Sequence, residues 1–334
     1  MIFHPAIMAL LVGSLLVTLM LLYSSYYGVQ VIRKWDIKSG SELQLCLERK
    51  TYLVSTIMSY MLFFQLASFY LFIFTADAIH ATFVSAMCAA GSLNVNEYGY
   101  PAVIIKMVNF LFAGTWLIIN YADNRAYDYP LIKKKYLLLL VITPLMVAEF
   151  IVQGAYFIGL KANVITSCCG SLFSTDAEGI ASEIAALPRL PMKIAFYLST
   201  ALTLASGMYF CLRSDWSGYV FSFLSIATFV VSVAAMISFI SLYFYELPTH
   251  HCPFCILQKD YGFIGYLLYI ALLGGAVSGL GTGALMPFRI IQSLSQIVPS
   301  IQRRLTFMAL ILYFLFTVVV TYRMIFSDFI LEGY

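Results

Sequence analysis

Eight stretches of about 20 or more mostly apolar residues dominate this chain: 6–31, 52–76, 102–122, 136–160, 193–213, 219–245, 261–284 and 305–326. A hydrocarbon layer about 30 Å thick requires roughly 20 apolar residues per crossing helix. Lipid offers no partner to an unpaired backbone amide, so each run must close its hydrogen bonds within itself. The expected fold is all-α, a polytopic membrane helix bundle of about eight transmembrane helices forming a single domain over 1–334. Only 10% of the residues are charged, against about 25% in soluble domains. Membrane lipid is the expected solvent and partner.

The first run opens almost at Met1, without a basic leading segment or a small-residue cleavage site, and reads as a retained helix. Lys and Arg set the orientation, because cytoplasmic loops are enriched in them. One set of connections holds Arg33, Lys34, Lys38, Arg49, Lys50, Arg125, Lys133, Lys134, Lys135, Arg213, Arg289, Arg303 and Arg304. The opposite set holds Asp77, Glu97, Asp176, Glu178, Glu183 and Glu246. This places both termini outside, in a multi-pass protein of a bacterial inner (plasma) membrane. Segment 161–192 is the longest outer loop, too short to bury a core of its own. Segment 286–304, with Ile290, Ile291, Leu294, Ile297 and Val298 between polar residues, reads as an amphipathic helix on the inner surface.

Several function classes are excluded. No basic tract interleaved with aromatics is present, so nucleic acid is not an expected partner. The four histidines all fall near helix ends on the outer side, which leaves a membrane haem b without axial ligands. No glycine-rich phosphate loop of the Walker type occurs.

Five of the seven cysteines fall in three successive outer connections: Cys88, then Cys168 and Cys169, then Cys252 and Cys255. An oxidising outer compartment lets such thiols form disulfides or hold metal. Adjacent Cys168 and Cys169 would close a strained ring if joined to each other, so a partner in another loop such as Cys88 is expected. The third connection reads His250-His251-Cys252-Pro253-Phe254-Cys255-Ile256-Leu257-Gln258-Lys259. A Cys-x-x-Cys pair opening a helix gains thiolate character from unpaired N–H groups and the helix dipole.

That stretch resembles the DsbB family of quinone-coupled disulfide-forming membrane proteins, in which a Cys-x-x-Cys pair is followed by apolar, polar and basic residues. The resemblance implies Cys252 and Cys255 as the redox pair, with Lys259 where an Arg contacts a membrane quinone. Gln258 and His251 lie beside it as further quinone-site candidates. The loop Cys88-Ala-Ala-Gly-Ser-Leu-Asn-Val-Asn-Glu-Tyr-Gly99-Tyr-Pro101 is similar to the cysteine loop of vitamin K epoxide reductase relatives. These pass electrons between a loop cysteine pair and a Cys-x-x-Cys beside a quinone. The leading expectation is a thiol–disulfide oxidoreductase in which Cys88, Cys168 or Cys169 exchanges with the Cys252/Cys255 pair, serving a periplasmic or extracellular thiol protein.

A second expectation is a soft-metal protein for copper or zinc, with ligands drawn from His80, Cys88, Cys168, Cys169, His250, His251, Cys252 and Cys255. A third is a membrane anchor or transporter subunit of a larger complex, with the cysteines as staples. Glu149, deep in the fourth run with Gln153 one turn on, is either a proton relay or a buried acid tying helices together. Lys106, one turn inside the third run, is expected to extend its ammonium outward to water. Gly275, Gly279 and Gly283 mark a close helix contact.

Overall fold

The computed structural model describes residues 3–36, 39–162, 164–166, 180–213, 216–327 and 329. Cys168 and Cys169 lie outside them. Among the described residues, eight helices are long and apolar enough to cross a membrane. They are α1 (Pro5–Lys34), α2 (Glu42–Ala78), α3 (Gly99–Asp123), α4 (Ile132–Ile158), α5 (Arg189–Arg213), α6 (Ser217–Tyr245), α7 (Ile264–Leu285) and α8 (Ile297–Phe326). All eight correspond to the apolar runs.

The helices overrun those runs where polar residues follow. α2 begins at Glu42 and carries Glu48, Arg49 and Lys50 inside helix, since charge is penalised by hydrocarbon rather than by helical geometry. α6 is not uniform: α-helix over Ser217–Ala235, a π turn over Met236–Ile240, then α-helix again over Ser241–Tyr245.

Segment 286–304 is not one amphipathic helix. It forms two 3₁₀ turns, Met286–Ile290 and Gln292–Leu294, separated by an extended Ile291, before α8 starts at Ile297. Prolines explain the break. Pro287 and Pro299 lack an amide hydrogen, and each falls in the first turn of its element, where no intrahelical partner is needed.

The chain groups into two compact units. The first comprises Met1–Thr75, Asn96–Leu160 and Ala284–Gln302; the second comprises Ala76–Val95, Lys161–Gly283 and Arg303–Tyr334. In the first, α4 packs on both α1 and α3, around a core that includes Leu21, Met58, Trp116, Tyr136 and Met146.

A buried polar centre ties this unit together. Glu149 on α4 pairs with Lys106 on α3 at 2.7 Å, the two side chains being 2% and 1% exposed. Gln65 on α2 and Asn109 on α3 also donate to its carboxylate, at 2.6–2.7 Å. The Lys106 ammonium therefore does not reach outward: a carboxylate stripped of water holds it more strongly than distant solvent does. Gln153 donates instead to the Leu10 carbonyl and Ser14 Oγ on α1.

In the second unit α5 packs against α6. Gly279 on α7 lies so close to α6 that an added Cβ would stand 2.0 Å from Ser225 Oγ. The expected small-residue contact is therefore made there.

Candidate thiol site

The second unit gathers three connections around its cysteines. After α2, the chain passes through a 3₁₀ turn (His80–Thr82) and a left-handed Ser85 (φ 70°), then forms a short helix, Ala89–Leu93, capped by Cys88. Val84 pairs in parallel with Ile165 of the next connection: the Val84 amide donates to the Val164 carbonyl, and the Thr166 amide to the Val84 carbonyl, both at 3.1 Å. Thr166 Oγ1 also donates to the Gly91 carbonyl at 3.0 Å. Gln258 of the third connection donates to the Met87 carbonyl (2.7 Å) and to Asp77 Oδ1 (3.2 Å), while the Ala89 amide donates to the same carboxylate oxygen (3.1 Å). Asp77 thus joins the Cys88 loop to the Cys-x-x-Cys loop.

The third connection leaves α6 through Glu246, whose left-handed conformation (φ 56°) turns the chain sharply. Two tyrosines then fix the loop. Tyr245 donates to the Cys252 carbonyl (2.6 Å) and accepts from the Ile256 amide (2.8 Å), bridging the two ends of the Cys-x-x-Cys segment. Tyr269 of α7 donates to the Pro253 carbonyl at 2.6 Å. Gly265 permits α7 to start against this loop, since a Cβ there would meet the Ile256 carbonyl oxygen at 2.9 Å.

Held in this way, the sulfurs of Cys88, Cys252 and Cys255 all lie within 4.8 Å of one another. Cys88 and Cys252 are 3.6 Å apart. That exceeds the ~2.05 Å of a disulfide and is close to the ~3.8 Å edge of a tetrahedron of sulfurs around a metal with bonds of about 2.3 Å. The three residues are 0%, 0% and 5% exposed, so no large thiol donor reaches them without movement.

Near them, His250 Nε2 lies 3.3 Å from Cys255 Sγ, and its ring packs edge-on against Tyr245. His251 is buried and directs Nδ1 to the Ile237 carbonyl of the π turn at 2.8 Å. Burial pushes its pKa below the ordinary value, and the positive charge of Arg189 acts in the same direction, against the pull of that hydrogen bond. Burial, with Cys255 and Asp260 nearby, pushes the Tyr261 phenol up.

The sequence-based candidates therefore separate. Cys88, Cys252 and Cys255 meet, with His250 beside Cys255. His251 and His80 direct Nδ1 to backbone carbonyls of Ile237 and Asp77, and neither joins the sulfur cluster. Gln258 is a loop staple. Lys259 stands exposed on a 3₁₀ turn, Lys259–Tyr261. Glu149 belongs to the other unit.

The pair does not open an α-helix. Cys255 begins a 3₁₀ turn (Cys255–Leu257), and α7 starts only at Ile264, because left-handed Gly262 and Phe263 interrupt the chain. A long helix dipole is therefore not the source of thiolate character here. Tyr245, Tyr269 and Asp77 were not foreseen as parts of the site, and no local spacing singles them out. Compared with known proteins, the chain matches no family model, no curated relative and no solved structure.

Proposed function

We propose that this is a membrane protein that binds a soft metal ion, copper(I) or zinc(II), on the thiolates of Cys88, Cys252 and Cys255, for transport or delivery. The observation that carries this reading is three buried sulfurs within 4.8 Å of one another. Thiolates favour soft metals, and a bound cation would supply the charge that lets three buried sulfurs ionise together. The loop geometry supports it further, because Tyr245 and Tyr269 hold the backbone between two of the ligands. His250 is the candidate fourth donor, through its contact with Cys255.

In this reading the cysteine-bearing connections and both termini face the outer compartment of a bacterial inner membrane, in keeping with the Lys and Arg bias of the opposite connections. The ion arrives from that side, or leaves through it to a partner carrying thiols.

A second reading is supported by the 3.6 Å approach of Cys88 to Cys252 with a third thiol close by. It is the quinone-linked thiol oxidoreductase that the DsbB resemblance implies. Two thiols would give up two electrons and two protons to a membrane quinone, forming one disulfide and the quinol. The spare Cys255 thiolate would then attack that disulfide, transferring the bond within the cluster.

One experiment separates the two. The protein is purified anaerobically with reductant, titrated with copper(I) or zinc(II), and analysed for metal by mass spectrometry beside Cys88→Ser, Cys252→Ser and Cys255→Ser. The metal reading expects a single ion per chain, lost in each variant. Failure of the reduced protein to retain either ion, together with dithiol-driven quinone reduction that each variant abolishes, would establish the redox reading instead.

A further inference from the structure

The donors gathered at the sulfur centre are not equivalent. Cys88 and Cys252 are 0% exposed and Cys255 is 5% exposed, whereas His250 is half-buried. It ends a turn in which Glu246, Leu247 and Thr249 are all exposed. The group of donor atoms lying within 4.8 Å of one another holds the three sulfurs and does not include His250. His250 instead approaches one of them: Nε2 lies 3.3 Å from Cys255 Sγ.

Cys255 thus belongs to two donor sets. The inner set is the three sulfurs, and the outer set is Cys255 Sγ with His250 Nε2. Metal bonds of about 2.0 Å to imidazole nitrogen and about 2.3 Å to sulfur let one ion touch both outer donors at that separation. Tyr245 positions the pair. Its ring packs edge-on against His250, with centroids 4.7 Å apart, while its hydroxyl accepts from the Ile256 amide next to Cys255.

Resting on the soft-metal reading, we propose that the ion is copper(I), and that His250 and Cys255 form the port by which it enters and leaves the three-sulfur site. Thiolate is a soft ligand suited to copper(I), and three of them complete its coordination, whereas zinc(II) calls for a fourth donor. The inner ion therefore needs no imidazole. Copper(I) handed over by a carrier bearing thiol or thioether groups is first held between Nε2 and Sγ. The bond to Nε2 breaks as bonds to the Cys252 and Cys88 sulfurs form, with Cys255 bound throughout. Copper stays at +1, no electron moves, and the protons displaced from the thiols leave to water. Cys88 and Cys252 are sealed, so a route through the half-buried donor spares the loop that Tyr245 and Tyr269 clamp.

The test is anaerobic exchange of copper(I) between the full chain in detergent and bathocuproine disulfonate, a copper(I) chelator that colours on binding. The unaltered protein is compared with His250→Ala and His250→Met. In His250→Ala, uptake and release should both slow about tenfold, a barrier higher by about 1.4 kcal/mol. The dissociation constant should stay within about threefold, because the inner sulfurs are unchanged. His250→Met returns a soft thioether to the port and should recover most of the lost rate; a histidine that only shaped the loop would gain nothing from it. Rates in His250→Ala that equal or exceed those of the unaltered protein would remove the port. A dissociation constant weakened about tenfold or more would make His250 a resident fourth donor instead. Retention of zinc(II) without copper(I) by the unaltered protein would overturn this proposal and leave the soft-metal reading standing, whereas retention of neither ion would end both.

Discussion

The hydroxyl of Tyr245 donates to the carbonyl of Cys252 at 2.6 Å. The same oxygen accepts the amide of Ile256 at 2.8 Å, so one side chain sets the span of the Cys-x-x-Cys loop. Tyr245→Phe removes both bonds and leaves the Ile256 amide buried without that acceptor, a cost of about 1–3 kcal/mol. The helices should remain intact by circular dichroism. Cys255 should react with maleimide about tenfold faster, and the affinity for a soft metal should fall. An unchanged labelling rate would mean that the clamp does not govern the loop.

Lys106 and Glu149 form the second test. Lys106→Met leaves a buried carboxylate facing only the amides of Gln65 and Asn109, and should cost about 3–5 kcal/mol. Adding Glu149→Gln removes the orphaned charge while keeping an oxygen that accepts from both amides. The double variant should therefore be more stable than Lys106→Met alone, as measured by unfolding in mixed detergent micelles.

The small-residue contact is equally specific. A Cβ on Gly279 would stand 2.0 Å from Ser225 Oγ and 2.4 Å from Ser225 Cβ. Gly279→Ala should destabilise the second unit by about 1–3 kcal/mol through overpacking. Ser225→Gly in the same chain should restore part of the loss. A thermal melt of the single and double variants decides it.

His251 makes the loop sensitive to acid. Burial holds its pKa below the ordinary 6.5, so the folded loop disfavours the imidazolium. The unfolded loop binds the proton more readily, and its stability relative to the folded form falls with rising pH. The stabilisation of the folded loop is complete above about pH 6.5 and is lost as the pH drops through that value towards the lowered one. The protection factors of amides across 246–263, taken against the intrinsic exchange rate at each pH, should fall between pH 7 and roughly pH 5. His251→Asn should flatten that dependence.

The helices were legible in the sequence because a bilayer forces an apolar run of fixed length on every crossing. Their ends were not, because Glu48, Arg49 and Lys50 can continue a helix beyond the hydrocarbon. Cys88, Cys252 and Cys255 were recognisable as chemistry-bearing from their loops. The 3.6 Å approach of Cys88 to Cys252 joins residues 164 positions apart and leaves no mark in local spacing. Lys106 was misread for the same reason: its partner lies 43 residues away on another helix. Tyr245 and Tyr269 resembled the many interfacial aromatics of such a chain, and only the folded loop distinguishes them.

The π turn over Met236–Ile240 has a consequence for how this loop is aimed. A helix advances about 100° per residue, so one surplus position rotates everything downstream by that angle. Excising a single residue there would restore a regular spiral and swing the phenol of Tyr245 a quarter-turn off the backbone it grips. The aim of the sulfur-bearing hairpin is thus dictated from inside the preceding span, upstream of both Cys252 and Cys255.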